Sequence, residues 1–326
     1  MTIIRSYPRL HVSLFDLAGA TGRKHGGAGF AIDGLPIQIA VSVGNKLQVT
    51  VEANDGTVVQ EIEAAVSRMS ALAKRRLTPS IRVSGSPYRH LGLGSKTALL
   101  LGVLQAVNDS FGLRLPPAEI QILSGRGGTS GIGINSFFSG GFIIDGGHPQ
   151  DGSNVFGPSS RQAGFPIPQI MFRSPIPRDW RFHLCDVSDG LRRFGADEAE
   201  FFRANTPVPS TDVLKLIAVA YHTLAPAVRD GDLLLLRAGI SRVSELGFKK
   251  REIGTQSESV RTLMVALQAF PACAVGMSSM GPLVYAVAAS GDTAFVEYLE
   301  SMESSIQFNY LGAFPGRNSG FGVVSE

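Results

Sequence analysis

The chain has 326 residues, 44% of them hydrophobic and 17% charged, which supports a buried core and excludes a disordered chain. Its 30 Lys and Arg against 27 Asp and Glu give a net charge of +3, too even to mark a nucleic-acid protein. The two cysteines, Cys185 and Cys273, lie far apart and show no C-x-x-C spacing, which excludes a disulfide framework and a thiolate zinc site.

Residues 9–16 alternate Leu10, Val12 and Leu14 with Arg9, His11 and Ser13, predicting a half-buried strand that ends at Asp16. The stretch Gly19 to Gly29 turns the chain, and FAID and PIQIAVSV read as strands. Residues 60–76 are helical in pattern: Ile62, Val66, Met69 and Ala73 share a face, with Lys74, Arg75 and Arg76 at the end. SIRVSG, residues 80–85, reads as a short strand, and ALLLGVLQAVNDSFG as a buried helix closed by Gly112. FFSGGFIID predicts a hairpin turning at Ser139-Gly140-Gly141. The Pro-, Gly- and Ser-rich stretch from 150 to 180 contains the expected domain boundary, dividing the chain into 1–165 and 166–326. Beyond it, RFHLCDV reads as a strand and 195–204, 211–228 and 256–270 as helices, with Lys249-Lys250-Arg251 a solvated helix end. PACAVGMSSMGPLVYAVAASG reads as strand, glycine turn and helix, followed by a helix at 293–303 and a strand at 305–314. Strands and helices mixed in both halves give an α+β fold class. The first residues carry no signal-peptide pattern and no stretch approaches the roughly 18 apolar residues of a membrane span. A cytoplasmic protein with neither membrane nor nucleic-acid partners is expected.

Three glycine-rich loops stand out. Gly92-Leu93-Gly94-Ser95-Lys96-Thr97 lies between a strand and the buried helix. Ser95 is a natural N-cap, and the amides of the first helical turn would form an anion site. Lys96 would add a charge toward a diphosphate and Thr97 a hydroxyl. This is not a Walker A loop, because Ser95 stands where that motif needs Gly, nor a complete G-x-G-x-x-G, because Thr97 occupies the third position. The alternative is an ordinary glycine turn into a core helix. In Gly276 to Pro282, Pro282 suits a first helical position, and Ser278, Ser279 and Gly281 suit a phosphate or sugar; a plain capped helix start fits equally. The third loop, Gly125 to Asn135, is so dense in glycine that close approach of a ligand is the usual reward. Asp145, at a strand end beside glycines, would hold magnesium or orient a hydroxyl, or else form an Asx turn. Asp16 and His11 pose the same question. The six histidines show no metal-ligand spacing, and no structural metal is expected.

PYRHLGLGSKTALL resembles the phosphate-loop motif of GHMP-type small-molecule kinases, and AVGMSSMGPLVYAV resembles their third motif. Four segments together resemble β-ribofuranosylaminobenzene 5′-phosphate synthases: RLHVSLFDLAGATGRKHGGAGFAI, HLGLGSKTALLLGVLQA, GRGGTSGIGINSFFSGGFIIDGG and GMSSMGPLVYAV. The resemblance implies a GHMP-type two-domain fold, with an S5-like N-terminal and a ferredoxin-like C-terminal domain. It implies an enzyme that condenses phosphoribosyl diphosphate with 4-aminobenzoate or 4-hydroxybenzoate, releasing carbon dioxide and diphosphate, in methanopterin-type pterin synthesis. Magnesium is implied as cofactor, with Asp145 its ligand. Phosphate binding falls to Gly92, Leu93, Gly94, Ser95, Lys96 and Thr97, with Ser278, Ser279 and Gly281 from the third motif. Asp145, Asp16 and Lys96 become the catalytic candidates; Arg9, His11, Arg23, Arg126, Ser130 and Asn135 the substrate-binding ones. Where the usual family loop reads GLGSGTQ, this chain carries Lys96 and Ala98. The alternatives are an ATP-dependent GHMP kinase and a non-catalytic ligand-binding relative. A homodimer is the expectation from base rates.

Overall fold

The computed structural model describes every residue except 53–54, 86–89, 151, 153–154, 159–164, 303–304 and 325–326. Pro87, Tyr88 and Arg89 on the approach to the first glycine loop, and residue 303 at the expected end of the last helix, lie outside the described residues.

Fourteen strands form three sheets among the described residues. The first runs β14-β1-β4-β6-β5, with β1 (Thr2–Ser6), β4 (Ile37–Val43), β5 (Gln48–Val51), β6 (Pro79–Ser84) and β14 (Gly322–Val324). Two helices cover it. In α1 (Gly56–Leu72), Val58, Ile62, Val66 and Met69 repeat at helical spacing and are buried, and the Asp55 carboxylate caps the start by accepting from Thr57 N. α2 (Ser95–Ser110) is buried on almost every side, as its unbroken apolar run demands. Together with α3 (Pro117–Ser124) and α4 (Ile132–Ser139) they close one core around Ile4, Ile39, Ile62 and Leu100.

The second sheet runs β2-β3-β7-β9, built from β2 (Arg9–Asp16), β3 (Arg23–Ala31), β7 (Phe142–Asp145) and β9 (Ile170–Ser174), with the short β8 (His148–Pro149) also on β3. The third is an antiparallel sheet, β11-β12-β10-β13, of β10 (Trp180–Val187), β11 (Ala274–Met277), β12 (Leu283–Ala289) and β13 (Phe308–Pro315). Phe30 of β3 joins the two: its ring lies 4.7 Å from Phe142 and 5.2 Å from Phe182. α5 (Gly195–Asn205), α6 (Ser210–Val219), a π-helical turn at 220–224, α7 (Ala225–Asp230), α8 (Leu233–Ser244) and α9 (Gly247–Gly254) follow one another between β10 and β11. α10 (Glu258–Ala269) and α11 (Thr293–Met302) pack on the third sheet through Leu263, Phe295 and Leu299. No helix among the described residues is long and apolar enough to cross a membrane.

The α+β class holds, and two strands cross the expected division at residue 165. β9 pairs with β7, and β14 pairs antiparallel with β1, Ile3 opposite Val324.

Two local expectations are corrected. FFSGGFIID is not a hairpin: residues 132–139 form α4, and Gly140, at φ 62°, turns the chain into β7. Ile132, Ile134 and Phe137 are all buried, so the segment carries no surface period to separate helix from strand. The loop at 276–282 does not lead into a helix either. It is the turn of a hairpin between β11 and β12, Met277 opposite Val284, and Pro282 precedes a strand. LVYAVAA is apolar throughout because both faces of β12 are covered, and its Val and Tyr content favours strand.

Candidate active site

The three glycine-rich loops converge. A cavity of about 450 Å³ is walled by Arg9 and His11 of β2, the loop from Gly92 to Thr97 and the start of α4, and is closed by the first turn of α5.

The first loop owes its shape to close packing from behind. Gly92, at φ +84°, lies so near the second hairpin that an added Cβ would stand 2.2 Å from Ser278 O. Ser278 Oγ donates to Gly92 O at 2.7 Å and accepts from His11 N at 3.0 Å, while Ser279 N donates to His11 O at 3.0 Å. Arg9 N donates to Leu93 O at 3.0 Å, and the Arg9 guanidinium to Gly92 O. The N-cap of α2 is Gly94, in the left-handed region at φ 71°, rather than the expected Ser95, and no side chain caps the helix. The positive end of the α2 dipole opens on the cavity, with Lys96 and Thr97 in its first turn.

The third loop brings Arg126 and Ser130 to the same wall. Arg126 Nε donates to Thr97 Oγ1 at 3.1 Å, and burial lowers the pKa of the guanidinium. Ser130 Oγ donates to Asp145 Oδ2 at 3.0 Å and lies 3.2 Å from His11 Nε2. Asp145 also accepts from Gly131 N at 3.1 Å and Gly147 N at 2.9 Å. Burial pushes its carboxyl up to about 7, against the pull of these three donors and of Arg23. Burial first, then Arg9 and Lys249, hold His11 well below the usual histidine range, so its ring is neutral. Arg9 is lowered to about 10 by burial and by Arg126.

Of the sequence-predicted residues, Arg9, His11, Gly92, Gly94, Ser95, Lys96, Thr97, Arg126, Ser130 and Ser279 line the cavity. Leu93 and Ser278 are buried behind them. The remainder do not line it. Asp145 is corrected as a magnesium ligand: it is 1% exposed, and its oxygens are taken by Ser130, Gly131 and Gly147. Asp16 gathers Ala18 N, Ala20 N, Thr21 N and the Thr21 hydroxyl, ordering the loop after β2. Arg23 holds the carbonyls of Gly146 and Gly147. Asn135 donates to Pro168 O at 3.0 Å, and Gly281 forms part of the hairpin turn.

The wall also contains groups with no signal in the sequence. Glu61 of α1 pairs with Lys96 Nζ at 2.8 Å. Arg193, Phe194 and Glu198 come from the start of α5. Among the described residues Glu198 has no hydrogen-bond partner, and burial raises its carboxyl despite Arg126. Lys249, read as part of a solvated helix end, is 2% exposed: its ammonium pairs with Glu252 at 2.5 Å and donates to Ser279 O at 2.6 Å. The i, i+3 spacing of Lys249 and Glu252 is the one sequence cue to that pair; nothing near Glu198 or Glu61 separates them from surface charges.

A helix start carrying cations onto a cleft, over three sheets in this order, is the arrangement of a GHMP-type fold. The chain superposes on homoserine kinase from Cytophaga hutchinsonii with a TM-score of 0.66, 13% identity and coverage of 99% of this chain and 97% of the other. It superposes on phosphomevalonate kinase from Streptococcus pneumoniae with a TM-score of 0.67, 13% identity and coverage of 96% and 99%. No family model matches the chain. It is 34% identical over 287 residues, 88% of each chain, to the β-ribofuranosylphenol 5′-phosphate synthase of Archaeoglobus fulgidus. The chain belongs to the β-ribofuranosylphenol 5′-phosphate synthase family, a family of enzymes.

Proposed function

We propose that this chain condenses phosphoribosyl diphosphate with 4-hydroxybenzoate, releasing carbon dioxide and diphosphate and leaving a carbon–carbon bond to the sugar, as a step of methanopterin-type pterin synthesis. The observation that carries the reading is the meeting of the α2 N-terminus with Arg9, Lys96 and Arg126 in one cavity, an arrangement suited to a polyanion. The relative's name specifies a phenol product, which favours the hydroxy acid over 4-aminobenzoate.

Departure of diphosphate leaves positive charge at C1 of the ribose and one further negative charge on the leaving group. The α2 dipole and Lys96 stabilise that leaving group, because they strengthen most where charge develops. Of the substrate-binding candidates Arg9, Arg23 and Arg126, Arg9 and Arg126 face the cavity, where either would hold the aromatic carboxylate. Neutral His11 adds no charge beside the sugar and holds Ser130, whose hydroxyl is anchored on Asp145. Among the described residues no group of three His, Cys, Asp or Glu forms a metal cage. Magnesium, however, is commonly held by one or two carboxylates plus substrate phosphates, and Glu61 beside Lys96 fits that role. Bound there with the diphosphate, it would offset charge on the leaving group.

The test is release of labelled carbon dioxide from carboxyl-labelled 4-hydroxybenzoate, dependent on phosphoribosyl diphosphate. Turnover of ATP with a small alcohol and no carbon dioxide would instead establish a kinase. Tight binding without turnover would establish a non-catalytic relative.

A further inference from the structure

One apolar ring is left bare inside a strongly charged cleft. Phe194 is 56% exposed although it lines the cavity, and its ring lies over His90 at 4.2 Å between centroids with a 31° tilt. It stands at the N-cap of α5, in extended conformation, so its side chain is set by the helix that starts immediately after it. One turn further along the same helix is Glu198, which also lines the cavity and has no hydrogen-bond partner among the described residues. The ion pairs of this wall use other groups: Lys96 takes Glu61, Lys249 takes Glu252, and Arg193 takes Asp197. A hydrophobic platform with an uncommitted carboxylate one turn away matches a planar ring that carries an acidic hydroxyl.

Resting on the function proposed above, we infer that the first turn of α5 is the aromatic-acid subsite: Phe194 stacks on the ring, and Glu198 is the catalytic base for the 4-hydroxyl. As the ring carbon bearing the carboxylate bonds to C1 of the ribose, the C1–oxygen pair leaves with diphosphate and the hydroxyl proton passes to Glu198. The ring is then a dienone. Cleavage of the bond to the carboxylate returns its electron pair to the ring as carbon dioxide departs, and Glu198 returns its proton to the 4-oxygen. Atoms and charge balance with no further reactant. Arg126, Lys96 and Glu252 are the charged groups acting on Glu198 from the neighbouring elements. Burial, with Glu252 in the same direction, outweighs Arg126 and Lys96 and raises its carboxyl above the usual range, which suits a base that must also give the proton back.

Steady-state rates of the full chain with both substrates, for F194A, F194L, E198Q and E198D, test the assignment, with thermal melts confirming that each variant folds. Phe194→Ala raises KM for 4-hydroxybenzoate about tenfold and leaves KM for phosphoribosyl diphosphate unchanged, with Phe194→Leu between it and wild type. Glu198→Gln lowers kcat by at least about 100-fold and abolishes the acid limb of the kcat–pH profile, and Glu198→Asp restores part of the rate. With 3,5-difluoro-4-hydroxybenzoate, whose hydroxyl is already ionised at neutral pH, the gap between wild type and E198Q closes. An unchanged KM for the acid in F194A overturns the platform. Retention of the acid limb in E198Q, or a gap that persists with the fluorinated acid, overturns the base. If the wild-type chain releases no carbon dioxide, the function itself fails and takes the subsite with it; if wild type turns over and the variants match it, only the subsite falls.

Discussion

Two loops of nearly the same composition do opposite work in this molecule. Gly92 to Thr97 and Gly276 to Pro282 both follow a strand and mix glycine with serine, yet only the first presents a helix start to the cavity. The second turns back as a hairpin and spends Ser278 on Gly92 O and His11 N. Polar groups in a loop have a fixed capacity for hydrogen bonds, and burial decides whether protein or ligand uses it. The hairpin is the support and the first loop the instrument.

If that division is right, the heaviest damage comes from behind the site. Lys249→Ala leaves Glu252 charged and unpaired in the interior and removes the donor to Ser279 O, costing about 3–5 kcal/mol in chemical denaturation. The double variant K249M/E252M, which leaves no orphaned charge, recovers most of that loss. A K249A melt equal to wild type breaks the comparison at once.

Next in size is a pH effect on the third glycine loop, which Asp145 holds from behind as Ser278 holds the first. Its carboxyl sits at about 7 in the folded state, against roughly 4 when unfolded, so the folded state binds that proton more tightly. The stability it contributes is full below about pH 4, falls as pH rises through about 7, and is flat above. Denaturation midpoints measured across that window fall for wild type, and Asp145→Asn lacks this component of the slope.

Ser278→Ala comes third: it leaves Gly92 O and His11 N without their buried partner and costs about 1–3 kcal/mol, read from the same denaturation curves. Smallest is Lys96→Ala on the ligand side. It weakens phosphoribosyl diphosphate binding about tenfold by titration calorimetry and leaves the melting temperature where it was. A drop in stability with unchanged affinity would reverse the two roles.

What could be read from the residues follows the same line. The strand at 9–16 and the helices α1 and α2 announced themselves through period or length, and the loop before α2 through its glycines. α4 and β12 did not, because β12 is covered on both faces and in α4 even Asn135 and Ser136 are buried, so neither segment has a polar face whose period could be read. Lys96, Arg126 and Ser130 were legible as cavity residues because they sit in glycine-rich segments, and Arg9 only through the family resemblance. Glu61, Glu198 and Phe194 were not. They lie on α1 and at the head of α5, far away in the chain, and only the stacking of those helices over the α2 start makes them neighbours. Asp145 looked like a ligand and serves as an anchor, a difference set by which backbone amides surround it.

The pairing of β14 with β1 places the first and last strands among the described residues side by side. During synthesis, the sheet beneath α2 remains open along one border until residues 322–324 emerge, so an intermediate with a formed phosphate loop would carry a vacant strand position. Closure of that sheet therefore waits on residues 322–324, and a nascent chain stalled before residue 322 presents a ready template for intermolecular strand exchange.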